Sequence, residues 1–348
     1  MTKLNKLISL ALISLIGLLP ARSVGQIVIP DTLSLFQHEE PLNITLSFDF
    51  KKLRKEKYKD EYQAATISYN CGEHVMMEKE IRIKARGEFR RRHCYLPPIK
   101  MNFKKTEFNS AQEYPLKKVK LVTNCKSSGI YEQYIYQEYY AYKIFNLLTD
   151  KSFKAQLVNI TYIDTEEKEK PFQKPGIIIE PTKHMTGRNS CVELETEKLG
   201  QAVCDQYQMT LVSVFQYLIG NTDWAIPNLH NVKLMRPTSF TDQSLYAVPY
   251  DFDYSGMVNT TYAVPDDKLP IKEVKDRIYQ GLCPDPSILE EVIEKFIEKK
   301  EDIYALYKNS PHLDKMQKYQ SKIYLDDFYR TIENRIRMEK AFSLNCTY

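Results

Sequence analysis

Two short segments carry the residue types that chemistry needs. Gly220-Asn-Thr-Asp-Trp-Ala-Ile-Pro-Asn-Leu-His-Asn-Val-Lys-Leu-Met235 sets Asp223, Asn228, His230 and Asn231 between a helical pattern and a strand pattern. Ala247-Val-Pro-Tyr-Asp-Phe-Asp-Tyr-Ser-Gly256 sets Asp251 and Asp253 just after the next strand. Hard oxygen ligands on adjacent loops suit magnesium, which takes carboxylates and an amide together with substrate phosphates. Phosphoryl transfer needs such a set: a carboxylate to orient the nucleophile, an Asn and an Asp on the metal, and a lysine on the phosphates. Asn-Thr-Asp and Asp-Phe-Asp are also ordinary turn formers, because their side chains bond their own backbone. Carboxylates on consecutive strand ends repel one another, however, and that favours a shared cation over two unrelated turns. His230 reads as structural rather than as a base. Trp224, the only tryptophan, reads as core packing.

The elements that must position these residues follow from periodicity. Tyr207, Leu211, Val214, Phe215 and Leu218 mark one face of a helix that stops at Gly220, and Val232 to Met235 and Leu245 to Val248 read as short strands. Further on, Asp285 can cap a helix with Pro286 at its first position and Ile288, Val292, Phe296 and Ile303 on its face, and Tyr324, Phe328, Ile332 and Ile336 mark a last one. Upstream the pattern is extended. Ile44, Leu46 and Phe48 alternate, Ile81 and Ile83 lead to a turn around Gly87, and Ile99, Met101 and Phe103 alternate again. A strand at Val119 to Val122, a helix at Tyr131 to Leu148 and two strands, Val158 to Ile163 and Gly176 to Ile179, complete this half. The run Arg90-Arg-Arg92 beside the Gly87 turn reads as an anion patch.

With these pieces in order, the chain resembles the CotH-like kinase family, atypical protein kinases related to a spore-coat kinase. The resemblance rests on Lys84-Ala-Arg-Gly87 followed by Pro98-Ile-Lys-Met-Asn-Phe103, on Gly220-Asn-Thr-Asp-Trp224 with His230-Asn231-Val, and on Pro249-Tyr-Asp-Phe-Asp253. It implies an α+β, bilobal protein-kinase-like fold, with an antiparallel-sheet N-terminal lobe and a mostly helical C-terminal lobe, that transfers phosphate from ATP to protein hydroxyls with magnesium. Carried over position by position, Asp223 is the catalytic carboxylate. Asn231 is the amide metal ligand, with Asn228 as the alternative at the kinase spacing Asp223-x4-Asn228, and Asp251 is the acidic ligand, with Asp253 as its competitor. Arg86 and Gly87 occupy the phosphate-covering turn. Lys100 is the strand lysine, with Glu138 as its helix partner and Lys120 as its competitor. Ile178-Ile-Glu180-Pro-Thr-Lys183 is the connector whose backbone meets the adenine. Gly87 is the only glycine in its turn, where a kinase loop has several, so phosphate coverage falls to the arginines.

Composition bounds the alternatives. The chain has 348 residues, 43% hydrophobic and 27% charged, enough for a substantial core and against extended disorder. Residues 1–25 read as a secretory signal, since Lys3 and Lys6 precede an apolar run from Leu7 to Pro20 that is too short for a spanning helix, and Ser23 and Gly25 supply a cleavage site. Export to the periplasm, the cell surface or the medium follows, with no stable membrane insertion after cleavage. The remaining chain divides into a sheet-rich lobe, 26–183, and a mostly helical lobe, 184–348. Removing residues 1–25 takes away three basic residues and no acids, lowering the formal charge from +4 to +1, which argues against a nucleic-acid partner. Seven cysteines without a CxxC pair disfavour a zinc ribbon and leave the disulfide pairing open. No Gly-x-Ser-x-Gly, His-Glu-x-x-His or P-loop motif is present. Two readings stand beside the kinase: an exported kinase-like binding protein without activity, and a secreted hydrolase using Asp223 and Asp251. A protein acceptor is the expected partner, of unknown identity.

Overall fold

The computed structural model describes residues 36, 39–70, 76–103, 117–344 and 346. The signal reading at residues 1–25 lies outside the described residues, as does Cys71.

The alternating segments form seven strands: β1 (Leu42–Phe48), β2 (Gln63–Asn70), β3 (Met76–Ala85), β4 (Ile99–Phe103), β5 (Lys118–Thr123), β6 (Ala155–Asp164) and β7 (Phe172–Ile179). Helices α1 (Phe50–Lys55), α2 (Phe89–His93) and α3 (Gly129–Leu148) interrupt them. The expected bilobal kinase-like fold with an antiparallel-sheet first lobe is overturned here. The seven strands close into a mixed barrel in the order β1-β2-β3-β4-β5-β7-β6, sealed by parallel pairing of β1 with β6, from Leu42 opposite Val158 to Phe48 opposite Asp164. Alternation reports that a strand has one buried face but not which distant edge it meets, whereas closure satisfies two edges that an open sheet would leave exposed. The seal is finished at one end by side-chain chemistry: Asp164 Oδ1 accepts from the Phe50 N–H at 3.1 Å.

Inward-facing Leu46, Ile67, Ile83, Met101, Leu121, Val158, Ile160 and Ile178 fill the barrel. The opposite face of β5, β6 and β7 carries Val122, Leu157, Ile177 and Ile179, which join α3 in a second core. That core continues through the rest of the chain: α4 (Thr182–Arg188), β8 (Cys191–Leu194), α5 (Gln206–Ile219), β9 (Val232–Pro237), β10 (Tyr246–Pro249), α6 (Pro286–Glu298), α7 (Lys300–Lys308), α8 (Lys315–Ile332) and α9 (Arg335–Phe342). Phe145 of α3 meets Phe215 of α5 at a ring separation of 4.5 Å, and Tyr142 meets Phe252 at 4.6 Å.

β8, β9 and β10 form a separate antiparallel sheet. The four-residue β8 is too short for its own periodic signal, and it follows directly on α4, which ends at Arg188. The last helical pattern divides into α8 and α9, because Asn334 caps a new helix by accepting from Arg337 N–H. α5 stops at Gly220, whose φ of 62° is left-handed and which has no room for a Cβ against the Tyr324 hydroxyl. Disulfides join Cys94 to Cys125 and Cys283 to Cys346, while Cys191 and Cys204 are buried free thiols. Among the described residues no helix is long and apolar enough to cross a membrane.

Candidate functional site

The loop after α5 folds back on itself, because Ala225 and His230 exchange backbone hydrogen bonds of 3.0 and 2.9 Å. This returns His230 and Asn231 to Asp223. His230 Nε2 lies 2.7 Å from Asp223 Oδ1, and Asn231 Nδ2 donates to Asp223 Oδ2 at 2.9 Å and to the Asp223 carbonyl at 2.8 Å. The Asp223 carboxylate is thus oriented from two sides while its side chain stays 36% exposed. The hydrogen bond to Asp223 raises the His230 imidazole above its ordinary value, burial opposing it, so this imidazole holds a proton more readily than a free one.

Asn231 and Asp251 leave the same end of the β9–β10 hairpin. Val232 is in register with Pro249, and Tyr250 N–H donates to the Asn231 carbonyl at 2.9 Å. Both residues have left-handed backbones, φ 50° at Asn231 and 65° at Asp251, a conformation that Asn and Asp adopt more readily than other non-glycine residues and that recurs at functional sites. Because the Asn231 amide nitrogen is engaged by Asp223, its carbonyl oxygen is left as an acceptor. The Asp251 backbone N–H donates to Tyr142 Oη at 2.8 Å, while its carboxylate has no partner among the described residues. Asn228 is exposed and its Oδ1 accepts from the His230 N–H at 3.3 Å, the pattern of a turn former.

Asp253 points the other way, into a buried cluster. Tyr262 donates to its Oδ2 at 2.9 Å, and Arg90 Nη1 lies 3.8 Å from both Asp253 Oδ2 and Glu138 Oε2. Burial, with the Asp251 charge adding, pushes the Asp253 carboxyl up to about 6. Burial and the Asp253 charge likewise hold Glu138 well above the usual carboxylate range. Burial alone would lower Arg90, but Tyr262, Asp253, Glu138 and Asp251 outweigh it and keep the guanidinium charged. Arg90 rather than Lys100 is therefore the ion partner of Glu138.

The basic side of the site lies on the outer face of the barrel. Lys84, Lys100 and Lys120 stand directly opposite one another across β3, β4 and β5. Lys84 pairs with Asp60, while Lys100 and Lys120 have no ion-pair partner among the described residues. Lys120 Nζ lies 4.3 Å from the ring centre of Tyr250, the residue before Asp251. Burial pulls Lys120 down to about 7, the Arg86 charge adds to that, and Asp251 opposes it. Lys100 is lowered by burial and then by Lys84, Lys118 and Arg86. Arg86 is half-buried beside Gly87, whose φ of 78° makes the turn, and its N–H donates to the Pro98 carbonyl at 2.8 Å. Like charges side by side on neighbouring strands are unfavourable without an anion to share.

Glu180 is committed elsewhere. Its carboxylate accepts from Arg188 Nε at 3.0 Å and from Lys154 N–H at 2.9 Å, and its own N–H donates to the Lys154 carbonyl at 2.9 Å. The Glu180 N–H is thus already bonded within the protein. The sequence reading also missed Tyr142, Tyr250 and Tyr262, and placed Arg90 with its neighbours in a surface patch; α2 turns Arg90 alone inward while Arg92 stays exposed. Tyr250 adjoins Asp251, a proximity that could have been noticed.

A scan against protein-family models and a search of curated proteins both find no match. Among the described residues no three His, Cys, Asp or Glu side chains converge into a protein-only metal cage. Magnesium does not need one, since it keeps several waters and phosphate oxygens and takes only one or two protein ligands. The Asp251 carboxylate, without a partner among the described residues, and the Asn231 side-chain Oδ1 fit that requirement.

Proposed function

We propose that the chain is an exported phosphotransferase that moves the terminal phosphate of ATP to a protein hydroxyl with magnesium. The observation that carries this reading is the confrontation of opposite charges. Lys120 lies over Tyr250 and feels the charges of Asp251 and Arg86, Lys100 stands opposite it on the neighbouring strand, and among the described residues neither lysine nor the Asp251 carboxylate has an ion-pair partner. A magnesium-bound triphosphate supplies what each side lacks: anionic oxygens for the cations, a cation for the carboxylate. The membership suggested by the resemblance to CotH-like kinases belongs to this proposal and rests on these residues, without the kinase fold.

In this reading Lys120 and Lys100 hold phosphate oxygens, and Arg86 closes over them from the Gly87 turn. Asp251 and Asn231 would hold the magnesium, which when bound offsets charge between the phosphates. Asp223 receives the acceptor hydroxyl and its proton, oriented by Asn231 and by His230, whose positive form steadies the carboxylate. Arg90, within ion-pair distance of both Glu138 and Asp253, ties α3 to the loop that carries Asp251. Export is supported by the two disulfides, which persist in oxidising compartments.

The test is incubation of the purified protein with ATP and magnesium, followed by intact-mass analysis and by thermal shift. Magnesium-dependent stabilisation by ATP, with phosphate added to the chain or to a supplied protein, is the expected result. Binding without transfer favours the inactive binding protein, and the absence of any shift removes the nucleotide site.

A further inference from the structure

We propose that the barrel mouth beside the Cys94–Cys125 disulfide is a second binding site, for a small neutral aromatic molecule carrying one hydrogen-bond acceptor and one donor. It shares no residue with the phosphate site. The cavity measures about 510 Å³, and Leu96, Asn124, Tyr162, Phe172 and Lys174 are among its lining. Mouths of β-barrels are recurrent places for small-molecule pockets, which combine apolar walls with a few fixed polar groups.

The walls and the polar groups are both present. Tyr162 and Phe172 face each other across β6 and β7 and stack with ring centres 5.1 Å apart, making a flat aromatic surface, and Leu96 is buried beside it. Two residues of the lining hold buried polar atoms that no group among the described residues satisfies: the Tyr162 hydroxyl and the Asn124 side-chain oxygen. Tyr162 is 1% exposed and Asn124 7%, so water reaches neither freely. Buried polar groups in native proteins nearly always have a partner, and a group without one marks a place where a partner is missing. Burial raises the Tyr162 phenol far above its ordinary value, which leaves it protonated and able to donate. Asn124 commits its Nδ2 to the Lys126 carbonyl, which leaves the amide oxygen to accept. The occupant must therefore offer an acceptor and a donor.

The charge of the occupant follows from the rim. Lys174 donates to Glu132 at 2.6 Å and to the Ser127 carbonyl at 2.9 Å, and Glu169 is bound to Arg54 and Tyr95. With these two paired, and with Lys126, the remaining charge of the lining, held over the Tyr131 ring at 5.5 Å, a charged ligand gains little and must still be dehydrated, so a neutral one is favoured. A benzene ring with a primary amide has the matching shape and groups.

The experiment is a calorimetric titration of the whole chain with benzamide, and with toluene and benzoate as controls. Benzamide should bind in the millimolar range or tighter, benzoate more weakly. Tyr162→Phe should lower benzamide affinity about tenfold and leave toluene unchanged, the order expected for one lost hydrogen bond. The same variant should melt no lower than the parent, since it removes an unsatisfied hydroxyl. Ser127→Trp, at an exposed rim position, should block both ring compounds. Absent benzamide binding, equal binding by Tyr162→Phe, a preference for benzoate, or a clear loss of stability in Tyr162→Phe would each overturn the proposal.

Discussion

Lys120 offers the sharpest test of the phosphate site, because its charge should decide affinity in an accessible pH range. Its side chain titrates near 7 instead of 10.5, with burial first and Arg86 second among the causes. At about 1.4 kcal/mol per tenfold change, that difference penalises the charged form in the free protein by up to about 5 kcal/mol. A bound triphosphate favours the charged form, so above pH 7 binding must take up a proton. Apparent affinity for magnesium-ATP should then be about 50-fold weaker at pH 9 than at pH 7. Lys120→Arg, charged throughout, should flatten this profile, and Lys120→Met should bind weakly at every pH. Calorimetry at pH 7, 8 and 9, in two buffers of different ionisation heat, measures both the affinity and the proton uptake. Stability should move in the opposite sense. The folded value lies below the unfolded one, so the unfolded chain binds more protons between about 7 and 10.5, and this residue's contribution to stability rises with pH across that window. Lys120→Met should therefore stabilise the free protein at pH 7 while removing nucleotide binding. A wild-type affinity that is level from pH 7 to 9, or an unchanged slope in Lys120→Arg, refutes the reasoning.

Asp251→Ala should weaken magnesium-dependent nucleotide binding, whereas Asp223→Ala should leave nucleotide bound and abolish transfer, as equilibrium binding and single-turnover assays will show. Arg90→Met strands two buried carboxyl groups and should cost about 3–5 kcal/mol in urea denaturation at pH 8. Its loss should be smaller at pH 5, because Asp253 and Glu138, raised in the folded protein, are then neutralised by protons. Gly220→Ala should lower stability by more than about 1 kcal/mol, since it meets both a left-handed backbone and the Tyr324 hydroxyl, and Tyr324→Phe should recover part of the loss in thermal melts. Replacing Cys94 and Cys125 together by Ala frees a closure of 31 residues and should cost about 3–4 kcal/mol, measured by denaturant unfolding.

What was legible in the sequence was local. Ile44, Leu46 and Phe48, and later Ile99, Met101 and Phe103, alternate because one strand face is buried, and both segments are strands with those residues inside the barrel. Helix α5 ended at Gly220 because only glycine fits there. The closure was not legible. Parallel pairing of Leu42–Phe48 with β6 joins segments separated by more than a hundred positions, and no periodicity records such a partner. At the site, the sequence offered Asn231 with Asn228 as its alternative, and their loop geometry differs: Asn228 caps a turn, Asn231 bonds Asp223. Arg90 was hidden for a different reason, since a run of arginines looks solvated until a short helix turns one of them inward.

The inward arginine explains how two sets of like charges coexist without a ligand. On the acidic side burial and neighbouring charge, that of Asp251 included, raise Glu138 and Asp253, and Arg90 and the Tyr262 hydroxyl stand between these two buried groups. On the basic side Lys120 has no carboxylate in contact and yields its charge near neutral pH instead. The free protein thus tolerates the site by partial neutralisation: a proton leaves Lys120, and protons are drawn toward Glu138 and Asp253. A ligand bearing both a cation and several anionic oxygens reverses both adjustments at once. It recharges Lys120 and compensates Asp251, which lowers the field felt by Asp253 and Glu138. Loss of Arg90 should for this reason reach beyond stability. With Asp253 and Glu138 protonated or displaced, the segment that sets the left-handed Asp251 loses its anchor, and magnesium-dependent binding should weaken even in variants rescued for folding at low pH.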